Sequence, residues 1–153
     1  MADWRNGIRI AGMVLAVACA TPPSDMRIEG ELRRLSGEVH GLGRSPRIVV
    51  LNAGSSMDAW GRVTASRAEG PSTRMQALGR QLAKGSRQRI GVVIGGPFAN
   101  LNDRMLLDAL LASGNEPLPG LTLLLVSPKP PDEELRRVAR RRQLKLVHRA
   151  LHI

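Results

Sequence analysis

The chain has 153 residues, enough for one domain with a sizeable core, and 42% of them are hydrophobic. Two Trp, one Phe and no Tyr leave that core to Leu, Val, Ile, Met and Ala, and they argue against nucleic-acid surfaces that stack bases on aromatic rings. Lys and Arg total 23 against 13 Asp and Glu, a net charge of +10. That balance favours a polyanionic partner such as nucleic acid or an anionic membrane surface, although an Arg-rich composition alone produces the same number.

Cys19 is the only cysteine, so an internal disulfide framework is excluded and a zinc site lacks its usual ligands. Around it, residues 8–20 (IRIAGMVLAVACA) form the longest apolar run, with Arg5 and Arg9 near its start and Thr21-Pro22-Pro23 after it. Two readings stand side by side. The run is a first buried strand, Ile10 to Ala18, of a cytoplasmic α/β domain. Alternatively, residues 1–20 are a cleaved signal segment ending near Cys19, which makes the protein exported or an outer-membrane lipoprotein. Either way it is too short to cross a bilayer, so no transmembrane segment is expected.

Ser24-Asp25 predicts the start of a helix with Ile28, Leu32 and Leu35 on one side, stopped at Gly37. Arg47 to Leu51 (RIVVL) is a β-branched strand, and residues 52–71 are a long loop rich in Gly, Ser and Ala. A second helix begins at Ser72-Thr73, carries Met75, Leu78 and Leu82, and stops at Gly85. Ile90 to Ile94 is the next strand, broken at once by Gly95-Gly96-Pro97. Asn102-Asp103 reads as the cap of a helix bearing Met105, Leu106, Leu110 and Leu111, ended by Ser113-Gly114. Leu121 to Val126 (LTLLLV) has no polar alternation, so both of its faces should be buried. Asp132-Glu133-Glu134 opens a basic helix over 132–145, with acids at its positive end and arginines at its negative end. The tail from Leu144 to Ile153 either continues that helix or forms a last strand.

Apolar strands alternating with helices predict a single α/β domain over 1–153, with a mostly parallel sheet and helices on both faces. Ligands of such sheets sit beyond the carboxyl ends of the strands. Asn52 to Ser56, Gly95-Gly96-Pro97 and Ser127-Pro128 are therefore the candidate site loops, and ordinary strand-to-helix turns use the same residues. Neither glycine-rich loop fits a dinucleotide fingerprint or a P-loop. His148 and His152 lack companion ligands, so no metal is assigned. The arginine run Arg136, Arg137, Arg140, Arg141 and Arg142 is a candidate RNA contact through phosphates, with a solvated helix face as the plainer account.

RIVVL, the stretch GPSTRMQALGRQLAKGSRQRIGVVIGGPFANLNDRMLLDA, GLTL and the closing LVHRALHI together resemble one family. It is the small bacterial SPOUT-class methyltransferases that modify a pseudouridine in large-subunit ribosomal RNA. The resemblance implies a trefoil-knotted α/β fold, a homodimer, RNA as substrate and S-adenosylmethionine as methyl donor. It places that cofactor against Leu51, Gly95, Gly96, Pro119, Gly120, Leu121, Thr122 and Leu123. The resemblance leaves the catalytic residues unknown: Phe98, Ala99 and Asn100 follow Pro97 where the family has a glycine, and the family's His-rich tail would begin about where this sequence ends. The expected functions are an S-adenosylmethionine-dependent RNA methyltransferase or an inactive relative, a secreted or lipid-anchored binding domain, and an RNA- or nucleotide-binding α/β protein without catalysis.

Overall fold

The computed structural model describes residues 24–52 and 73–152. The apolar run at 10–18 and most of the 52–71 loop, on which a strand, a signal segment and a site loop were predicted, lie outside the described residues. Four helices and four strands make up the described part: α1 (Asp25–Ser36), β1 (Arg47–Val50), α2 (Thr73–Ala83), β2 (Ile90–Gly95), α3 (Ala99–Ala112), β3 (Leu121–Ser127), α4 (Glu133–Arg141) and β4 (Lys145–Ala150). A 3-10 turn, Lys84–Ser86, follows α2.

All strand pairs are parallel, and the sheet runs β1-β2-β3-β4 in the order of the sequence. The chain after Leu121 thus runs as β3 beside β2, and α4 carries it onward to the outer edge as β4. The expected α/β class, parallel sheet and helices on both faces are all present.

Alternation along the strands divides the core in two, as the two-residue period of a strand dictates. Val92 and Ile94 with Leu121, Leu123 and Leu125 face α2, α3 and α4. Val93, Leu124 and Val126 face α1, where Ile28, Leu32 and Leu35 cover them. Every residue of β3 is buried, as its uninterrupted apolar sequence predicts. The ends of α1 and α4 follow ordinary cap chemistry. The Ser24 hydroxyl accepts from the Arg27 amide at 3.3 Å, and Asp132 accepts from the Leu135 amide at 2.8 Å.

Three local expectations need correction. α3 begins at Ala99 with Phe98 in the cap position, and Phe98 makes no side-chain cap bond. Asn102 is buried inside the first turn, bonded sideways to the sheet instead of capping the helix. Leu111 is 55% exposed, because the buried stripe of α3 runs through Leu106, Leu107 and Leu110. Finally, α4 stops at Arg141, and Gln143 at φ 59° turns the chain into β4. Of the two readings of the tail, the strand is the one present, over Lys145–Ala150.

Candidate nucleic-acid interface

The carboxyl edge of the sheet is closed by its own backbone. The Gly96 amide donates to the Val126 carbonyl at 3.2 Å, and the Leu51 amide donates to the Gly95 carbonyl at 2.7 Å. A Cβ on Gly96 would overlap the Leu51 carbonyl oxygen, and one on Gly95 would overlap that of Val126. The two glycines are thus required by neighbouring strands. The space that a missing side chain would leave for a ligand is filled by protein.

Asn102, 0% exposed, locks the same edge. Its Nδ2 donates to the Gly96 carbonyl at 2.8 Å and to the Ser127 hydroxyl at 3.1 Å. β2 and β3 are therefore tied together just past their last residues by one side chain from α3.

The residues predicted to hold S-adenosylmethionine do not converge. Leu51, Gly95 and Gly96 stand at the carboxyl ends of β1 and β2, whereas Leu121, Thr122 and Leu123 begin β3. In register, Ile90 lies beside Leu121 and Gly95 beside Val126. At ~3.3 Å per residue, Leu123 and Leu121 lie about 10 and 16 Å from the level of Gly95 along the strands. Pro119 and Gly120 belong to the amino edge, where the Gly120 amide donates to the Gly85 carbonyl at 2.9 Å. Leu121 and Leu123 are core residues facing the three-helix layer.

One carboxylate at the carboxyl edge is strongly perturbed. Asp103 is pushed up to about 6, chiefly by burial and in smaller part by the nearby Asp132 carboxylate, against the bond from the Asp132 amide and the charge of Arg136. That amide lies 3.2 Å from Asp103 Oδ2. A carboxyl group whose folded value lies above its ordinary 3.8 takes up its proton more readily when folded. Its contribution to stability is therefore full below about pH 4 and is lost as pH rises through about 6. Asp103→Asn keeps the acceptor and removes the charge. Its Tm should exceed that of the wild type at about pH 8, and the difference should vanish near pH 4. Thermal melts at the two pH values measure this.

The arginine run divides by burial. Arg136, Arg137, Arg140 and Arg141 are exposed along α4. Arg142 is only 5% exposed and turns inward, its Nε donating to the Glu116 carbonyl at 2.7 Å and its Nη1 to that of Leu110 at 2.8 Å. Its charge is used on the Leu110 carbonyl in the last turn of α3 and the Glu116 carbonyl in the loop beyond it, so Arg142 leaves the predicted RNA-binding set. Burial, and then Arg141 beside it, lower its pKa, against a smaller opposing pull from Glu116.

The remaining cations are under-neutralised. Glu133 pairs with Arg140 at 2.7 Å and reaches Arg136 at 3.9 Å. The hydrogen bond from Arg140, followed by the charges of Arg140, Arg136 and Arg137, holds its carboxyl below the usual range. Among the described residues Arg137 and Arg141 have no acidic partner at ion-pair distance. The arginines of α1 differ. Arg33 pairs with Glu29 at 2.6 Å, and Arg34 pairs with Glu31 at 2.7 Å and Glu38 at 2.9 Å. Among the described residues, exposed cations without an acidic partner at ion-pair distance thus include Arg137 and Arg141 on α4, and also Arg80, Lys84, Arg87 and Arg89 around the end of α2.

A feature that sequence reasoning missed lies beside those arginines. A groove of about 450 Å³ opens between α4 and β4, with Ala139, Leu144 and Leu146 among its lining residues. The signal was present in Leu144, Leu146 and His148, which alternate at the spacing of one strand face. It could be read only once the tail was known to be a strand. Among the described residues no group of His, Cys, Asp and Glu could hold a metal ion, and no helix is long and apolar enough to cross a membrane.

The fold and the surface define a four-stranded parallel α/β domain with a cationic helix on one side. No protein-family model, curated protein or solved structure matches the chain.

Proposed function

We propose that the chain is an RNA-binding α/β protein that works without catalysis, gripping phosphates with α4. The observation carrying this reading is the charge imbalance on that helix, where, among the described residues, Glu133 reaches Arg136 and Arg140 and leaves the exposed Arg137 and Arg141 without a carboxylate in ion-pair range. Guanidinium groups one helical turn apart suit successive phosphates, and each can make a bidentate contact. The SPOUT-like, knotted and S-adenosylmethionine-dependent alternative asks Leu51, Gly95 and Gly96 to share a cleft with residues 119–123. Those segments stand at opposite edges of the sheet, and we do not adopt it.

Replacing Arg136, Arg137, Arg140 and Arg141 together with Ala tests the proposal. Affinity for a short labelled single-stranded RNA should fall about 10- to 100-fold at low salt, and the slope of log K against log salt should flatten by about 3. Fluorescence anisotropy across a salt series reads both quantities. Unchanged affinity and slope would reduce α4 to a solvated helix face.

A further inference from the structure

The groove beside α4 is more than a gap between a helix and an edge strand. Its floor is apolar, formed by Ala139 and Leu144 with Leu146, and Pro130 and Pro131 contribute to its wall. Arg136 and Arg140 flank it from α4, and His148 stands across from them on β4. His148 Nε2 lies 3.1 Å from the Ser127 carbonyl oxygen. A carbonyl only accepts, so this nitrogen carries a proton, and Nδ1 of the neutral ring is left as an acceptor.

We propose that this groove receives one unstacked base of a single-stranded RNA, with Arg136 and Arg140 on the phosphates that flank it; this rests on the RNA-binding reading above. Three features carry the choice. The volume of about 450 Å³ lies in the range of small-ligand sites. Its apolar floor is of little use to a phosphate backbone and well suited to the face of a base. Its cations lie on one side, which matches a ligand that is apolar at one end and anionic at the other. With aromatic residues so scarce, the aliphatic floor of Ala139, Leu144 and Leu146 meets the base face where rings usually would. The exposed Arg140–Glu133 pair contributes little as a surface ion pair and yields readily to a phosphate. A perfectly paired duplex keeps its bases stacked inside the helix and cannot offer one to the groove. An acidic peptide would match the arginines but leave the floor unread.

The test compares one labelled sequence as a single strand and as a perfect duplex. The single strand should bind about 5- to 10-fold more tightly at equal salt. Leu146→Asn, neutral and of similar size, should erase that preference while leaving duplex affinity and salt slope unchanged. His148→Gln is the second variant should Leu146→Asn lower the Tm. Polyglutamate of equal charge should displace the single strand poorly. Equal affinity for strand and duplex overturns the groove while leaving RNA binding standing, as does equal loss of both in Leu146→Asn. Displacement by polyglutamate as effective as by unlabelled RNA means that only charge is read, which also overturns it. Absence of binding to either RNA form removes this proposal and the RNA-binding reading together.

Discussion

Gly96→Val should destabilise the domain by roughly 3 kcal/mol or more. The reason is local and backbone-centred. The first atom of any side chain at Gly96 would overlap the Leu51 carbonyl oxygen, and the same position also faces Asn102 Oδ1 at 3.2 Å. A flexible side chain could swing aside, but a carbonyl in a parallel ladder moves only with its strand. The ends of β1 and β2 would have to separate, loosening the Asn102 bonds to Gly96 and Ser127 as well. Against a total stability of about 5–15 kcal/mol, that loss is large, and Tm should fall on the order of 10–20 °C. Gly30→Ala supplies the contrast. It sits on the exposed side of α1 with nothing within 4 Å of an added Cβ, and it should stabilise by about 0.5–1 kcal/mol. Chemical denaturation of both variants separates the accounts. A Gly96→Val protein with unchanged midpoint would mean that the glycine is kept for a ligand instead of for packing.

Arg142→Met is expected to cost roughly 2–3 kcal/mol. Met covers the aliphatic stem of the arginine well enough, so the loss comes from the head group. The carbonyls of Leu110 and Glu116 would lose their donors at 2.8 and 2.7 Å. The Leu110 carbonyl keeps the Ser113 hydroxyl at 2.6 Å and the Ser113 amide at 3.2 Å, so the larger part of the loss falls on the Glu116 carbonyl. Arg142→Lys should rescue little, because an ammonium is a point charge and cannot span two carbonyls as a planar fork does. RNA affinity at a temperature where the variant is folded should match the wild type. A flattened salt slope in Arg142→Met would return this residue to the phosphate-contacting set and undo its assignment as a clamp.

Much of the architecture was legible because the first three strands are apolar runs, β3 being buried throughout. IVV, VVI and LTLLLV contain no polar alternation, and only a sheet covered on both sides explains such runs between amphipathic helices. The helix caps at Ser24 and Asp132 were legible for a different reason, since their partners lie three residues away. Everything that failed depends on partners distant in sequence. Gly95 and Gly96 look like a cofactor turn until Leu51 and Val126 are seen to fill the space beside them. Asn102-Asp103 has the chemistry of a cap, but Asn102 is spent on Gly96 and Ser127. LTL marks the start of β3 and not its end, a matter of register that no local pattern expresses. The tail was ambiguous because KLVHRA mixes charge and apolar residues without a clean period, and its neighbour β3 decides the question. The candidate interface was half legible. A count of arginines reveals the cationic run, but burial alone separates Arg142 from the others.

The sheet order has a consequence for how the molecule comes into being. Each described strand lies beside the one made just before it, β1 to β4 across the sheet. Among the described strands no later one is inserted between two earlier ones, so each finds its docking edge already waiting. Parallel pairing is ordinarily slow, because loop closure precedes any reward. From β2 to β4 each closure spans only one helix and its turns. A chain built in this order can assemble from its amino-terminal side while the ribosome is still extending it.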